Sequence, residues 1–166
     1  MGFYRVAVCI VSDIDGIKMN ITQYKEFAKA MRESESSNQY DIENRLGYLG
    51  AYQFGKPRLW DLGISVDGWN PKNSTVKQHF TPKQFFLDSK TLQDGCFALH
   101  VIDALSWIKR KKYKRNGFTD SALVAVFHLL GYGGVMDFVK MTNNYLSQDA
   151  NGTKAIDYAK KFNNYF

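Results

Sequence analysis

At 166 residues the chain is about one domain long and can bury a core without disulfide or metal staples. Its 45% hydrophobic and 23% charged residues exclude a disordered or fibrous chain. A net charge of +6 with a pI near 9.2 favours anionic partners (nucleic acid, anionic lipid, or a wall polymer with free carboxylates) without choosing among them.

Two cysteines, Cys9 and Cys96, and the scattered His79, His100 and His128 form neither a disulfide framework nor a metal-ligand spacing. No metal and no cofactor is expected. The apolar run Val6 to Val11 is too short to span a bilayer. It lacks the basic flank, longer apolar stretch and cleavage site of a secretory signal, so no stable membrane insertion is expected. The run reads as a short strand, and residues 1–19 as an extension ahead of a domain over 20–166.

Asn20 is a helix N-cap, and Ile21, Tyr24, Phe27, Ala28 and Met31 follow at helical spacing, giving a helix from Ile21 to Ser34. Glu33 and Glu35 fall at its last turn, where the helix dipole disfavours negative charge. A desolvated carboxylate there has a raised pKa, which suits a general acid; the alternative is a pair of solvated acids at a fraying end. Residues 36–46 read as a loop rich in turn formers, Asn38, Asp41 and Asn44. Gly47 and Gly50 punctuate it. A helix is expected from Ala51 to Leu62, broken near Gly55 and Pro57 with Lys56 at the break. Residues 63–80 read as a long surface loop or small β excursion, with Trp69 lining a cleft or pinning the loop.

Thr81-Pro82 signals a helix start, and Phe85, Phe86 and Leu87 are expected to pack. The stretch Lys90 to Lys111 keeps the helical period through Leu92, Cys96, Leu99, Val101 or Ile102, Leu105 and Ile108, as a central buried helix. Its basic end, Lys109 to Lys112 with Lys114 and Arg115, complements the dipole or attracts an anionic polymer. Asn116-Gly117 marks a turn, and Thr119-Asp120 caps an apolar helix, Ser121 to Leu130, of the kind buried on most sides. His128 on it reads as a core histidine. Gly131-Tyr132-Gly133-Gly134 breaks that helix; a short helix over Val135 to Met141, a turn at Asp149 to Thr153 and an amphipathic helix over Lys154 to Phe162 complete a mainly α chain of about six helices. Ile156, Ala159 and Phe162 are expected inward.

Glu35-Ser36 and Gly50-Ala51-Tyr52-Gln53 resemble the lytic transglycosylase and goose-type lysozyme superfamily. Its members carry a Glu-Ser pair and then a Gly-Leu-Met-Gln-like segment; here Glu35 and Gln53 are eighteen positions apart, matching that spacing, whereas Glu33 is two positions too far. Val126 to Gly133 resembles the family's Ala-Tyr-Asn-Ala-Gly-x-Gly-like segment, with His128 where Asn would stand and one extra residue before the glycine. Tyr48 to Gly55, His128 to Gly134 and Asp149 to Thr153 together resemble a phage and bacterial subset of lysozyme-like proteins, over about Asn20 to Phe162.

The resemblance implies a lysozyme-like single domain that cuts peptidoglycan glycan strands at the bacterial wall, with Glu35 as catalytic acid. Ser36 would hydrogen-bond near the cut, Gln53 and the Gly50 backbone would line the cleft, and Tyr52 and Tyr132 would offer ring faces, with His128 beside them; the alternative for Tyr52 is plain core. In a transglycosylase the same glutamate then takes the proton of the sugar's C6 hydroxyl, closing an anhydro ring. In a hydrolase a second acid orients water, for which Asp41, Glu43, Asp61 and Asp67 are candidates. A monomer is expected. The alternatives are a non-catalytic wall- or polyanion-binding module, and nucleic-acid binding through Lys109 to Arg115, which no recognition motif supports.

Overall fold

The computed structural model describes residues 19–72, 74–112, 117–140, 148–149 and 152–166. The expected N-terminal strand, Cys9, Lys114, Arg115 and parts of the 149–153 turn lie outside them. Among the described residues the chain is mainly helical: α1 (Ile21–Ser36), α2 (Lys56–Asp61), β1 (Ile64–Val66), β2 (His79–Thr81), α3 (Lys83–Asp88), α4 (Lys90–Lys111), α5 (Asp120–Lys140) and α6 (Ala155–Lys161). Two compact units result. Ala28–His100 form the body of one; Val101–Phe166, with the described residues up to Phe27, form the other.

α1 begins with a reciprocal cap. Asn20 Oδ1 accepts from Gln23 N–H at 2.9 Å, and Gln23 Oε1 accepts from Asn20 N–H at 3.0 Å, a capping box that satisfies two donors at once. The helix runs two residues past the expected Ser34. It stops where Ser37 and Asn38 take left-handed φ of 54° and 63°, with Asn38 N–H returning to the Arg32 carbonyl at 3.0 Å; this is a C-terminal lock that spares the last carbonyls.

In the first unit the expected helix over Ala51–Leu62 is not continuous. Leu49 and Phe54 exchange backbone bonds of 2.9 Å in both directions, closing residues 50–53 into a tight turn. Only Lys56–Asp61 is helical, with Gly55 as N-cap and Pro57 in the first turn. Pro57 therefore starts a helix rather than breaking one, because a missing N–H costs nothing in a first turn. Residues 63–81 make the small β excursion: β1 and β2 pair in parallel, Ile64 opposite His79 and Val66 opposite Thr81. Thr81 thus ends a strand, and Pro82 takes the N-cap position of α3. Phe86 and Leu87 are buried, but Phe85 is 61% exposed.

α4 matches its expected bounds and most of its expected buried face. Gln93, Cys96, Phe97, His100, Val101, Ala104, Leu105 and Ile108 are buried, and Leu99 is exposed. Cys96, Val101, Leu105 and Ile108 are the expected core positions; Gln93, Phe97, His100 and Ala104 widen the buried face, and Leu92 and Leu99 lie off it.

In the second unit α5 is buried from Ser121 through Phe127. The expected break falls at Gly131, whose φ 69° and ψ −168° are not helical and divide Asp120–Lys140 into two helical parts. By length and composition α5 is apolar enough to cross a membrane, a test that core helices also pass, and half of its most apolar window is buried. The C-terminal tail closes over its start: Ser121 Oγ donates to the Phe162 carbonyl at 2.7 Å, and Phe27 meets Phe162 and Phe166 edge-on at 5.8 and 5.1 Å. Ala159 on α6 and Phe162 just after it are buried as expected, together with Ala155 and Tyr158, while Ile156 is only half-buried.

Candidate active site at the end of the first helix

Glu35 lies half-buried in the last turn of α1, and residues on both sides of it tie that turn to residues 50–53. One position on, the Ser36 hydroxyl lies 2.9 Å from the Ala51 carbonyl and 3.2 Å from the Arg32 carbonyl, and it accepts from Gln39 N–H at 3.0 Å. A hydroxyl has one proton to give, and the shorter contact, to Ala51, is the better acceptor. Three positions before Glu35, on the same helix face, Arg32 donates from Nη1 to the Tyr52 hydroxyl at 2.7 Å and from Nε to Asn38 Oδ1 at 2.9 Å.

Asp94, near the start of α4, completes this assembly. One of its carboxylate oxygens accepts from the Tyr52 hydroxyl at 2.7 Å and the Tyr40 hydroxyl at 2.9 Å, and lies 3.5 Å from Arg32 Nη1. Arg32 and Lys90 both sit over the Tyr40 ring, at 5.8 and 5.4 Å from its centre. Burial opposes the Arg32 charge, but Tyr52, Tyr40 and Asp94 outweigh it and hold the guanidinium pKa above its ordinary value.

The turn itself is carried by Gln93, which is 1% exposed. Its Oε1 accepts from Ala51 N–H at 2.8 Å; its Nε2 faces the carbonyls of Tyr40, Phe86 and Leu87 at 3.0, 2.9 and 3.1 Å. Gly50 makes this possible. Its φ is +71°, and a Cβ there would run into the Gln93 amide. Both backbone groups of Gly50 are engaged: its N–H with the Ile42 carbonyl at 2.8 Å, and its carbonyl with Gln53 Nε2, also at 2.8 Å.

The expected site residues divide. Ser36 is bonded to the turn that holds Gly50, Tyr52 and Gln53, and Glu35 precedes it in the same helical turn. Tyr52, however, does not offer a ring face. It is fully buried and stacked on Phe97 at 4.1 Å with 8° between the planes; its contribution is its hydroxyl. Gln53 sits in a turn at φ +49° instead of on a helix, with its amide folded onto Gly50.

His128 and Tyr132 belong to the second unit. His128 is half-buried on α5, and the exposed Tyr132 donates its hydroxyl to Asp103 Oδ2 at 2.7 Å. Of the alternative acids, Glu43 pairs with Lys83 at 2.8 Å, raising the lysine's pKa through that hydrogen bond. Asp61 lies 3.8 Å from Arg58, Asp67 accepts from Lys83 N–H at 2.8 Å, and Asp41 is exposed.

Arg32, Tyr40, Gln93 and Asp94 escape a reading of the sequence. Their one signal is that Gln93 falls in the alternative helical phase of α4, a polar residue on a face otherwise set by Phe97, Val101 and Ala104. No protein-family model, no curated protein and no solved structure matches this chain.

Proposed function

We propose that the chain is a peptidoglycan-cutting glycosidase, lysozyme-like in fold, that cleaves the β-1,4 bond between N-acetylmuramic acid and N-acetylglucosamine with Glu35 as general acid. The observation that carries this reading is the 2.9 Å bond from Ser36 Oγ to the Ala51 carbonyl. It fastens the helical turn that carries Glu35 to the Gly50–Gln53 turn, fifteen positions on. A carboxyl on such a fastened turn is held on a rigid element, as proton transfer to a bridging oxygen requires.

Glu35 gives its proton to the leaving glycosidic oxygen as the sugar becomes oxocarbenium-like. The carboxylate left behind then takes a proton, either from water, giving a reducing end, or from the sugar's C6 hydroxyl, giving an anhydro end. The second route needs no second carboxylate. Ser36, Arg32 and Asp94 act through the backbone and through each other to place the Glu35 turn. The wall polymer's free carboxylates suit a chain of net charge +6.

A non-catalytic wall-binding module is the second reading, favoured by the burial of Tyr52 and the engagement of the Ser36 hydroxyl with backbone. Clearing of a purified wall suspension separates the two. Under the catalytic reading Glu35→Gln loses about 10²–10⁴-fold of the clearing rate while keeping its fold and its binding to wall. Equal clearing by both proteins would remove Glu35 from the reaction, and binding without clearing by either would favour the module.

A further inference from the structure

Three large apolar side chains of the first unit turn outward within one short stretch. Val76 is 57% exposed, Phe80 60% and Phe85 61%, the highest values for large hydrophobic residues among the described residues. The backbone beneath Phe80 and Phe85 is braced. β2 pairs with β1, Phe80 opposite Ser65. Asp67 N–H donates to the Thr81 carbonyl at 3.0 Å, and Asp67 Oδ1 accepts from Lys83 N–H at 2.8 Å, at the start of α3. On this frame the usual order of a half-buried strand is inverted. β2 buries Thr81 and turns Phe80 out, where alternation normally puts the apolar residue inside. α3 buries Phe86 and Leu87 and leaves Phe85 in solvent. Residues 68–87 contain Lys72, Lys77 and Lys83 and neither Asp nor Glu. Lys83 is paired with Glu43. Lys72 and Lys77 are exposed and make no ion pair among the described residues.

We infer that this stretch docks reversibly on an anionic lipid bilayer, with Val76, Phe80 and Phe85 entering the boundary between headgroups and acyl chains and Lys72 and Lys77 meeting lipid phosphates. Exposed apolar side chains rimmed by polar ones mark an interaction surface, and the chemistry of these selects the partner. Protein interfaces are anchored mainly by Trp, Tyr and Arg, and single-stranded nucleic acid calls for Arg beside its stacking rings. Here the exposed apolar groups carry no polar tip, and the cations beside them are lysines. A lysine stem can lie along the apolar zone while its ammonium stays at headgroup level. Charge selects the lipid: unpaired lysines on a chain of net charge +6 favour an anionic leaflet over a zwitterionic one. Apolar burial and this attraction add, but two rings and two lysines fall far short of a spanning helix, so the contact is peripheral. None of these five residues belongs to the proposed Glu35 site, and lipid vesicles contain no wall polymer, so the docking stands or falls apart from that reading.

Co-sedimentation of the full chain with lipid vesicles is the test. Vesicles of equal parts phosphatidylglycerol and phosphatidylcholine are expected to bind the chain about tenfold or more tightly than vesicles of phosphatidylcholine alone. Raising salt from about 0.05 to about 0.5 M should weaken binding to the mixed vesicles. Phe80→Ser/Phe85→Ser should lose about tenfold or more of that affinity, and Lys72→Gln/Lys77→Gln about tenfold, both with circular dichroism and thermal midpoint unchanged. Phe80→Leu/Phe85→Leu, which stays apolar, should keep most of it. No pelleting with the mixed vesicles, equal pelleting with both kinds, or wild-type pelleting by either the serine or the glutamine variant would overturn the inference. So would a single-stranded oligonucleotide that binds as tightly and is released by the same substitutions, which would assign the stretch to nucleic acid. A wild-type dimer that Phe80→Ser/Phe85→Ser dissociates would overturn it too, in favour of a second copy of this chain.

Discussion

Two buried side chains decide what single substitutions should do. Gln93 satisfies Ala51 N–H and faces three carbonyls with one amide. Gln93→Leu keeps the volume and strands those groups, each a loss of roughly 1–3 kcal/mol. We expect about 2–4 kcal/mol of lost stability in urea titration, with the loss of any wall-clearing activity appearing at denaturant concentrations where wild type is still folded. Cys96 is buried, and burial pushes its thiol pKa up to about 12 from 9.0. Above pH about 9 the unfolded chain gives up this proton while the folded chain keeps it. Stability therefore falls with rising pH by up to about 1.4 kcal/mol per unit until the folded thiol also ionises. Urea midpoints of wild type and Cys96→Ala should converge as pH rises from 8 to 11. A constant gap over that range would mean the thiol is not shielded.

The helices separate two kinds of glycine. Gly95 lies inside α4, and a methyl group added there would meet nothing within 4 Å, so Gly95→Ala removes only unfolded-state freedom and should stabilise by about 0.5–1 kcal/mol. Gly131 has the same open space but a backbone that other residues resist, so Gly131→Ala should cost about 1–3 kcal/mol. Opposite shifts in Tm for two identical changes are the expected result; shifts of the same sign would contradict the kink. This contrast also marks what the sequence can carry at the level of elements. The Asn20 cap, the 90–111 helix and the break at Gly131 follow from periodicity and punctuation and are found where those rules put them. The turn at 50–53 reads as helix in the sequence because its shape is set by a side chain some forty positions later. Gln93 holds Ala51, and no window around Ala51 contains that information. On α4 the period finds Cys96, Val101, Leu105 and Ile108 but misses the polar Gln93 and His100, whose polar atoms find partners inside the fold.

Over the whole molecule, the helix content and the small β excursion are legible from composition, period and turn residues. The proposed site is legible only in its ends. Glu35, Ser36 and Gln53 stand out through short motifs, whereas Arg32, Tyr40 and Asp94 are joined by hydrogen bonds that cross more than forty positions of sequence in the longest case, Tyr40 to Asp94. Asp94 brings with it an expectation for the whole reaction. If it acts only by placing the Glu35 turn, Asp94→Asn should lower kcat with little change in KM. Loss in KM alone would assign it to substrate contact instead.

The central claim is that the Glu35 carboxyl protonates a glycosidic oxygen in the wall polymer. Its most direct test is mass analysis of the soluble fragments released from purified peptidoglycan. The account predicts muropeptides cut at the sugar–sugar bond, ending in a reducing or an anhydro N-acetylmuramic acid, from wild type and none from Glu35→Gln. Fragments cut only at peptide bonds, or the same glycan fragments from both proteins, would contradict it.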